Sequence, residues 1–136
     1  MGKLGSLNHL RLTVSDVDRS AQFYLPVMAF LGYRLEERRP GRIAWEAPPG
    51  ISPQGFILTE ATADRAYLGH DRYSPGLHHI AWNADGRDQV DQMYELLQTH
   101  RITVLDPPAE YPHEAGYYAV FFADPDGIKL ELVHVP

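Results

Sequence analysis

A strand-like segment with a histidine in third place occurs twice in this chain, as Leu7-Asn8-His9-Leu10-Arg11-Leu12 and as Leu77-His78-His79-Ile80-Ala81-Trp82. Each copy leads through a polar turn into a helical pattern and then into three more strand-like runs. A sequence written twice in this way is constrained to fold as two related βαβββ halves. In the first half a strand is expected over 7–14, with Leu10, Leu12 and Val14 on one face and His9, Arg11 and Thr13 on the other. Ser15-Asp16-Val17-Asp18 supplies helix N-cap chemistry, Val17, Ala21, Tyr24 and Met28 recur at helical spacing, and Gly32 is placed to end the helix. Pro26 inside that pattern predicts a kink or an early break. Strand-like runs follow near 33–38, 42–47 and 55–60.

Residues 61–76 carry no period and read as the connection between halves. The order then restarts with a strand over 77–83, an Asp85-Gly86 turn and a helix over 87–100 whose apolar stripe is Val90, Met93, Tyr94 and Leu97. Further strands are expected near 102–105, 117–123 and 128–135, the last after the turn Asp124-Pro125-Asp126-Gly127. A half of about 55 residues buries too little apolar surface to stand alone comfortably. The expected domain is therefore α+β. Modules at about 7–60 and 77–135, linked by 61–76, would form one curved mixed sheet around a cleft, within one chain or swapped in a homodimer.

Composition narrows the function classes. The chain has 136 residues, 44% apolar and 22% charged, as an ordinary globular domain does. It contains neither an apolar run long enough to span a membrane nor a signal-like N-terminus, so a cytoplasmic protein without a membrane partner is expected. A net charge of -6 without a basic cluster argues against a nucleic-acid partner. The absence of cysteine excludes disulfides, a thiol nucleophile and thiolate metal sites. Any metal must be held by histidine, carboxylate and water.

That inventory is present. His9 and His79 hold equivalent repeat positions on the strand faces turned away from the expected helices. Glu131 lies between Leu130 and Leu132 on the last strand, so it faces the same side as the histidines. A carboxylate there is costly without a partner, and a divalent cation held by two neutral imidazoles and one carboxylate would satisfy all three groups. A metal-free Glu–His hydrogen-bond network is the alternative.

Several motifs together resemble the vicinal oxygen chelate superfamily of glyoxalases, bleomycin-resistance proteins and extradiol dioxygenases. They are His-Leu-Arg-Leu-Thr-Val-Ser-Asp at 9–16, Phe23-Tyr24, Leu31-Gly32-Tyr33, Gly76-Leu77-His78-His79-Ile80-Ala81 and the run from Asp124 to Glu131. The resemblance implies paired βαβββ modules in a glyoxalase-like fold and a divalent metal bound by His9, His79 and Glu131. The register against His9 selects His79 over His78. Glyoxalase-I-type enzymes carry a further glutamate late in the first module, where pairing Phe56-Ile57-Leu58-Thr59 with Leu130-Glu131-Leu132-Val133 puts Ile57. Glu60 lies three residues on and would face the wrong side unless a bulge shifted the strand. The three-ligand set that remains resembles extradiol dioxygenases and fosfomycin-type thiol transferases. It favours Fe(II) or Mn(II), with Zn, Ni or Co as substitutes.

The extradiol pattern also implies a histidine and a tyrosine ahead of Asp-Pro-x-Gly. His113 has the histidine's spacing, but the tyrosine position is Phe121, and Tyr117 on the same strand face is the candidate to replace it. The Pro-rich segment from Asp106 to Pro112 is expected to be a loop over the cleft mouth, with His113 as an acid or base in it. Arg11 and Lys129 share faces with His9 and Glu131 and could bind an anionic group of a small-molecule substrate, with Phe121 beside them. Two function classes follow. One is a metal-dependent dioxygenase-like or lyase/isomerase-like enzyme that chelates a small oxygenated metabolite. The other is a metal-free module of the bleomycin-resistance type, in which Trp45, Trp82, Tyr117 and Phe121 would supply stacking surfaces.

Overall fold

The computed structural model describes residues 2–136 and divides into two compact units after Leu68. Each unit is one βαβββ module. The first comprises β1 (His9–Val14), α1 (Val17–Phe30), β2 (Arg34–Arg39), β3 (Arg42–Glu46) and β4 (Gly55–Glu60). The second comprises β5 (His79–Asn83), α2 (Arg87–Thr99), β6 (Thr103–Glu110), β7 (Tyr118–Ala123) and β8 (Lys129–His134). Each closes its own four-stranded mixed sheet, in the orders β1-β4-β3-β2 and β5-β8-β7-β6. In both, the first strand runs parallel to the last and the remaining pairs are antiparallel. Among the described residues, no helix is long and apolar enough to cross a membrane.

The helix-facing sides hold the cores. Along α1, Val17, Ala21, Tyr24 and Met28 are buried as their spacing requires, and the helix packs on β3 and β4, whose Ile43, Trp45, Phe56 and Leu58 are buried too. Tyr24, Trp45 and Phe56 form a ring cluster with centroids 5.6–6.4 Å apart. Each such side chain contributes about 1.5–3 kcal/mol through burial. In the second module Val90, Met93 and Leu97 of α2 are fully buried, as are Phe122 and Leu130 of the sheet. Trp45 and Trp82 both belong to these helix-side cores, at 2% and 7% exposure, which corrects the expectation that they offer stacking surfaces to a ligand. Strand alternation assigns them to the same faces as Ile43 and Ile80.

Two further expectations are corrected. Of the kink or early break expected at Pro26, the break does not occur, and α1 runs on to Phe30. The carbonyl deprived of a donor is that of Gln22, whose residue is exposed, so water can satisfy it. The segment Asp106–Glu110 is not a loop but part of β6. Prolines are tolerated there because β6 is an edge strand that pairs with β7 alone, with register shifts on either side of Asp106.

The C-terminal helix ends repeat as the strands do, whereas the N-terminal ends differ, with Asp16 at α1 and Gly86, which has no capping side chain, at α2. Asp16 caps α1 by accepting from the Arg19 amide. At its C-terminus Gly32, with φ 88°, donates to Ala29 O while Tyr33 donates to Met28 O. This is the paired-bond arrangement that ends a helix through a left-handed residue. In α2 the same bonds run from Arg101 to Gln98 O and from Ile102 to Leu97 O, but the left-handed position is Arg101, with φ 56°. A side chain in this region is strained by about 1 kcal/mol. Arg101→Gly should therefore raise stability by up to about 1 kcal/mol, read as a higher urea midpoint at unchanged m-value.

Candidate metal centre

In the second module the face turned away from α2 presents His79 on β5, Lys129 and Glu131 on β8 and Phe121 on β7. The register pairs Ala81 with Glu131, His79 with Lys129 and Phe121 with Glu131. Strand β8 lies between two partners, so its backbone is fixed from both sides and Glu131 has little freedom to leave. Its side chain is 2% exposed, whereas that of His79 is 32% exposed. The Tyr117 hydroxyl donates a hydrogen bond to Glu131 Oε2, and His79 Nε2 lies 3.1 Å from Glu131 Oε1. The His79 ring is positioned in turn by His78, with 2.7 Å between the two Nδ1 atoms.

Aromatic rings surround the carboxylate. Tyr111 lies edge-on to Phe121 and to Tyr117, with centroids 5.4 and 6.3 Å away, and His113 stacks on Tyr111 at 5.8 Å and meets Tyr117 at 5.0 Å. Lys129 Nζ stands 4.6 Å from the Phe121 ring centroid. Desolvation, then the hydrogen bond to Glu131, push the Tyr117 phenol well above its ordinary value, so it stays a proton donor. Burial also raises Tyr111, and the fields of Asp106 and Glu131 add to the effect. Desolvation lowers His78, assisted by His79, Lys129 and Arg72.

The first module turns His9, Arg11 and Thr13 to its open face. His9 Nδ1 donates to Asn8 Oδ1 at 2.8 Å, which leaves the lone pair on Nε2, the form a metal-binding imidazole requires. The register of β1 with β4 pairs Arg11 with Ile57, just as Ala81 pairs with Glu131 in the second module. Ile57 thus holds the position equivalent to Glu131. The pairing of β4 runs without a shift against both neighbours, and Glu60 Oε1 instead accepts from the Val17 amide at the start of α1. Glu60 is committed to the helix terminus, where its charge is also favourable.

The sites expected from sequence fall into two groups. His79, Glu131, Tyr117, Phe121 and Lys129 come together on the second module, with His113 against Tyr117 in the turn after β6. His9 and Arg11 share the open face of the first. Among the described residues, no three His, Asp or Glu side chains gather as a metal-ligand group. The donor pair His79 Nε2 and Glu131 Oε1 nevertheless fits a cation. Two donors about 2.1 Å from one ion stand about 3.0–3.4 Å apart. Sequence reasoning missed Tyr111, hidden in the Pro-rich stretch, and Asn8, whose adjacency to His9 was the available signal.

The Glyoxalase/Bleomycin resistance protein/Dioxygenase superfamily model matches residues 6–132. The chain belongs to that superfamily. An uncharacterized protein, YqjT, from Bacillus subtilis is 34% identical over 130 residues, 93% of this chain and 97% of the relative. The metallothiol transferase FosB of Lysinibacillus sphaericus is 28% identical over 126 residues, covering 93% and 79%. A putative glyoxalase from Bacillus halodurans shares the fold, with a TM-score of 0.83, 23% identity and 98% of both chains covered. Members of this superfamily often bind divalent metals.

The Tyr117–Glu131 bond has a measurable consequence. Tyr117→Phe leaves a buried carboxylate oxygen without its donor and should cost about 1–3 kcal/mol in urea unfolding at neutral pH. The folded state raises the phenol's pKa, so the stability due to the neutral phenol is complete below its unfolded value near about 10 and is lost as pH rises beyond it. The gap between wild type and Tyr117→Phe should therefore shrink above that pH.

Proposed function

We propose that the protein is a divalent-metal-dependent enzyme acting on a small oxygenated metabolite, with His9, His79 and Glu131 as ligands. The buried Glu131 carboxylate facing His79 Nε2 at 3.1 Å carries this reading. The lone pair that Asn8 leaves on His9 Nε2 supports the third ligand. When bound, the metal would supply Lewis acidity toward two neighbouring substrate oxygens. Tyr117 would hold the second oxygen of Glu131, restricting the carboxylate to one metal-facing oxygen. Tyr111, His113 and Phe121 would bound the substrate's apolar surface and exclude water. His113, exposed and stacked on Tyr111, would be the acid or base nearest this wall.

Ile57 separates this site from a glyoxalase-I-type arrangement, because it can neither ligate metal nor take a proton. Three protein ligands leave coordination positions open for substrate, as dioxygenase-like or lyase-like chemistry requires. One observation favours a second reading, a metal-free binding module. Glu131 already has two polar partners in Tyr117 and His79, and the aromatic wall around it would receive a planar ligand.

Elemental analysis after incubation with Fe(II), Mn(II), Ni(II) or Zn(II) and gel filtration decides between them. Wild type should retain about one ion per chain, and Glu131→Ala should lose most of it. Substoichiometric metal that none of these ions can raise would overturn the enzyme reading in favour of the binding module.

A further inference from the structure

We propose that His78 is a positioning residue that decides which ring nitrogen of His79 is left to meet a cation. The inference rests on the metal-site reading above and adds a residue to it. In each module the residue just ahead of the proposed ligand turns back onto that ligand's Nδ1. Asn8 Oδ1 lies 2.8 Å from His9 Nδ1, and His78 Nδ1 lies 2.7 Å from His79 Nδ1. Successive side chains along a strand point to opposite faces, so alternation alone predicts neither contact. The His78 ring is held in turn by the segment that precedes β5. Tyr73 meets it edge-on at 5.8 Å, and Arg72, 5.6 Å over the Tyr73 ring, donates to Gly127 O at 3.2 Å. That carbonyl belongs to the turn before β8, the strand of Glu131.

The two contacts differ in what they permit. An amide oxygen only accepts, so Asn8 keeps the His9 proton on Nδ1. An imidazole Nδ1 can donate or accept, and a single proton lies between His78 and His79. When His78 donates, His79 carries its own proton on Nε2 and gives it to Glu131 Oε1, 3.1 Å away. When His78 accepts, His79 carries the proton on Nδ1 and turns a lone pair toward the carboxylate. The first form suits the metal-free protein, because two lone pairs facing each other leave the buried carboxylate oxygen without a donor. The second form is the one that a cation between them requires. In passing from one to the other, the shared proton crosses from His78 Nδ1 to His79 Nδ1. His79 Nε2 releases a proton to water, and the exposed His78 takes one on its Nε2. Both rings stay neutral and no net proton is lost. The first module, with Ile57 at the position equivalent to Glu131, has no carboxylate there to satisfy, and a partner that only accepts suffices.

Nitrogen-15 NMR of the histidine-labelled full chain and calorimetric titration with Zn(II) test this. Metal-free wild type should show a coupling across the hydrogen bond between the two Nδ1 nuclei. On loading with Zn(II), the His79 proton should be found on Nδ1 instead of Nε2. His78→Ala should leave the melting temperature of the metal-free protein unchanged and weaken Zn(II) binding about tenfold to a hundredfold, as loss of a group that orients a metal-bound histidine does. His78→Asn, which installs the partner used by the first module, should restore most of that affinity, a rescue that a merely structural role of the imidazole would not give. A His78→Ala variant that binds Zn(II) as tightly as wild type overturns the proposal, as does metal-free wild type without the coupling. If wild type retains no ion, the metal-site reading fails by itself. The coupling, read on metal-free protein, then still supports the histidine pair where present and overturns it where missing.

Discussion

A carboxylate at 1% exposure in the middle of a sheet is the constraint around which the second module is arranged. Burying an ionised group without partners costs several kcal/mol, more than most single contacts return. Glu131 therefore demands donors, and the fold supplies them from both neighbouring strands. Strand β5 brings His79, while β7 and the turn before it bring Tyr117. The turn closes through backbone bonds from Tyr111 to Tyr117 O and from Tyr117 to Glu114 O, which bring Tyr111 and His113 against the same spot. The aromatic wall is in this sense a consequence of the buried charge. The rings that desolvate Glu131 also hold its hydroxyl partner in place.

The first module follows the same plan without that charge. Its helix-side core is built as in its counterpart, yet Gly55, Ile57 and Arg11 stand on its open face where the second has Lys129, Glu131 and Ala81. The carboxylate nearest to the vacated position, Glu60, serves a helix terminus instead. The two modules share what folding needs, the apolar stripe and the helix C-terminal bonds, and differ on the open face. Chemistry placed on a repeated scaffold can therefore be asymmetric while the scaffold remains symmetric.

Much of this was legible in the sequence because it follows from periodicity. Alternation around His9, His79 and Glu131 assigned their faces, and helical spacing found four buried residues of α1 and three of α2, while it passed over Phe23 and Val27 and included the half-buried Tyr94. The failures have physical causes. Prolines at 107 and 108 were weighed as breakers, whereas a bulged edge strand with one neighbour does not require their missing donors. Pro26 was weighed in the same way, although the carbonyl it deprives belongs to an exposed residue that water can serve. Trp45 and Trp82 were read by ring chemistry when alternation already placed them in the cores. Arg101 in a left-handed conformation gave no signal, because only its likeness in position to Gly32 reveals the role.

In the proposed metal site, the unequal exposure of the two second-module ligands would matter. Glu131 is shielded, so its attraction for a cation would act through a medium less polarisable than water and be strengthened accordingly. His79, one-third exposed, would be the side from which an ion and then a substrate arrive. With Tyr117 on its other oxygen, the carboxylate could not swing to chelate the ion alone, and a coordination position would stay open. Ile57 can neither ligate a metal nor take a proton, so among the second module's groups those able to exchange one with a substrate belong to the aromatic wall. Among its members Tyr117 is held as a neutral donor by burial and by Glu131. Its single proton is committed to Glu131 Oε2, so a proton exchanged with a substrate would pass through His113, the exposed member of that wall.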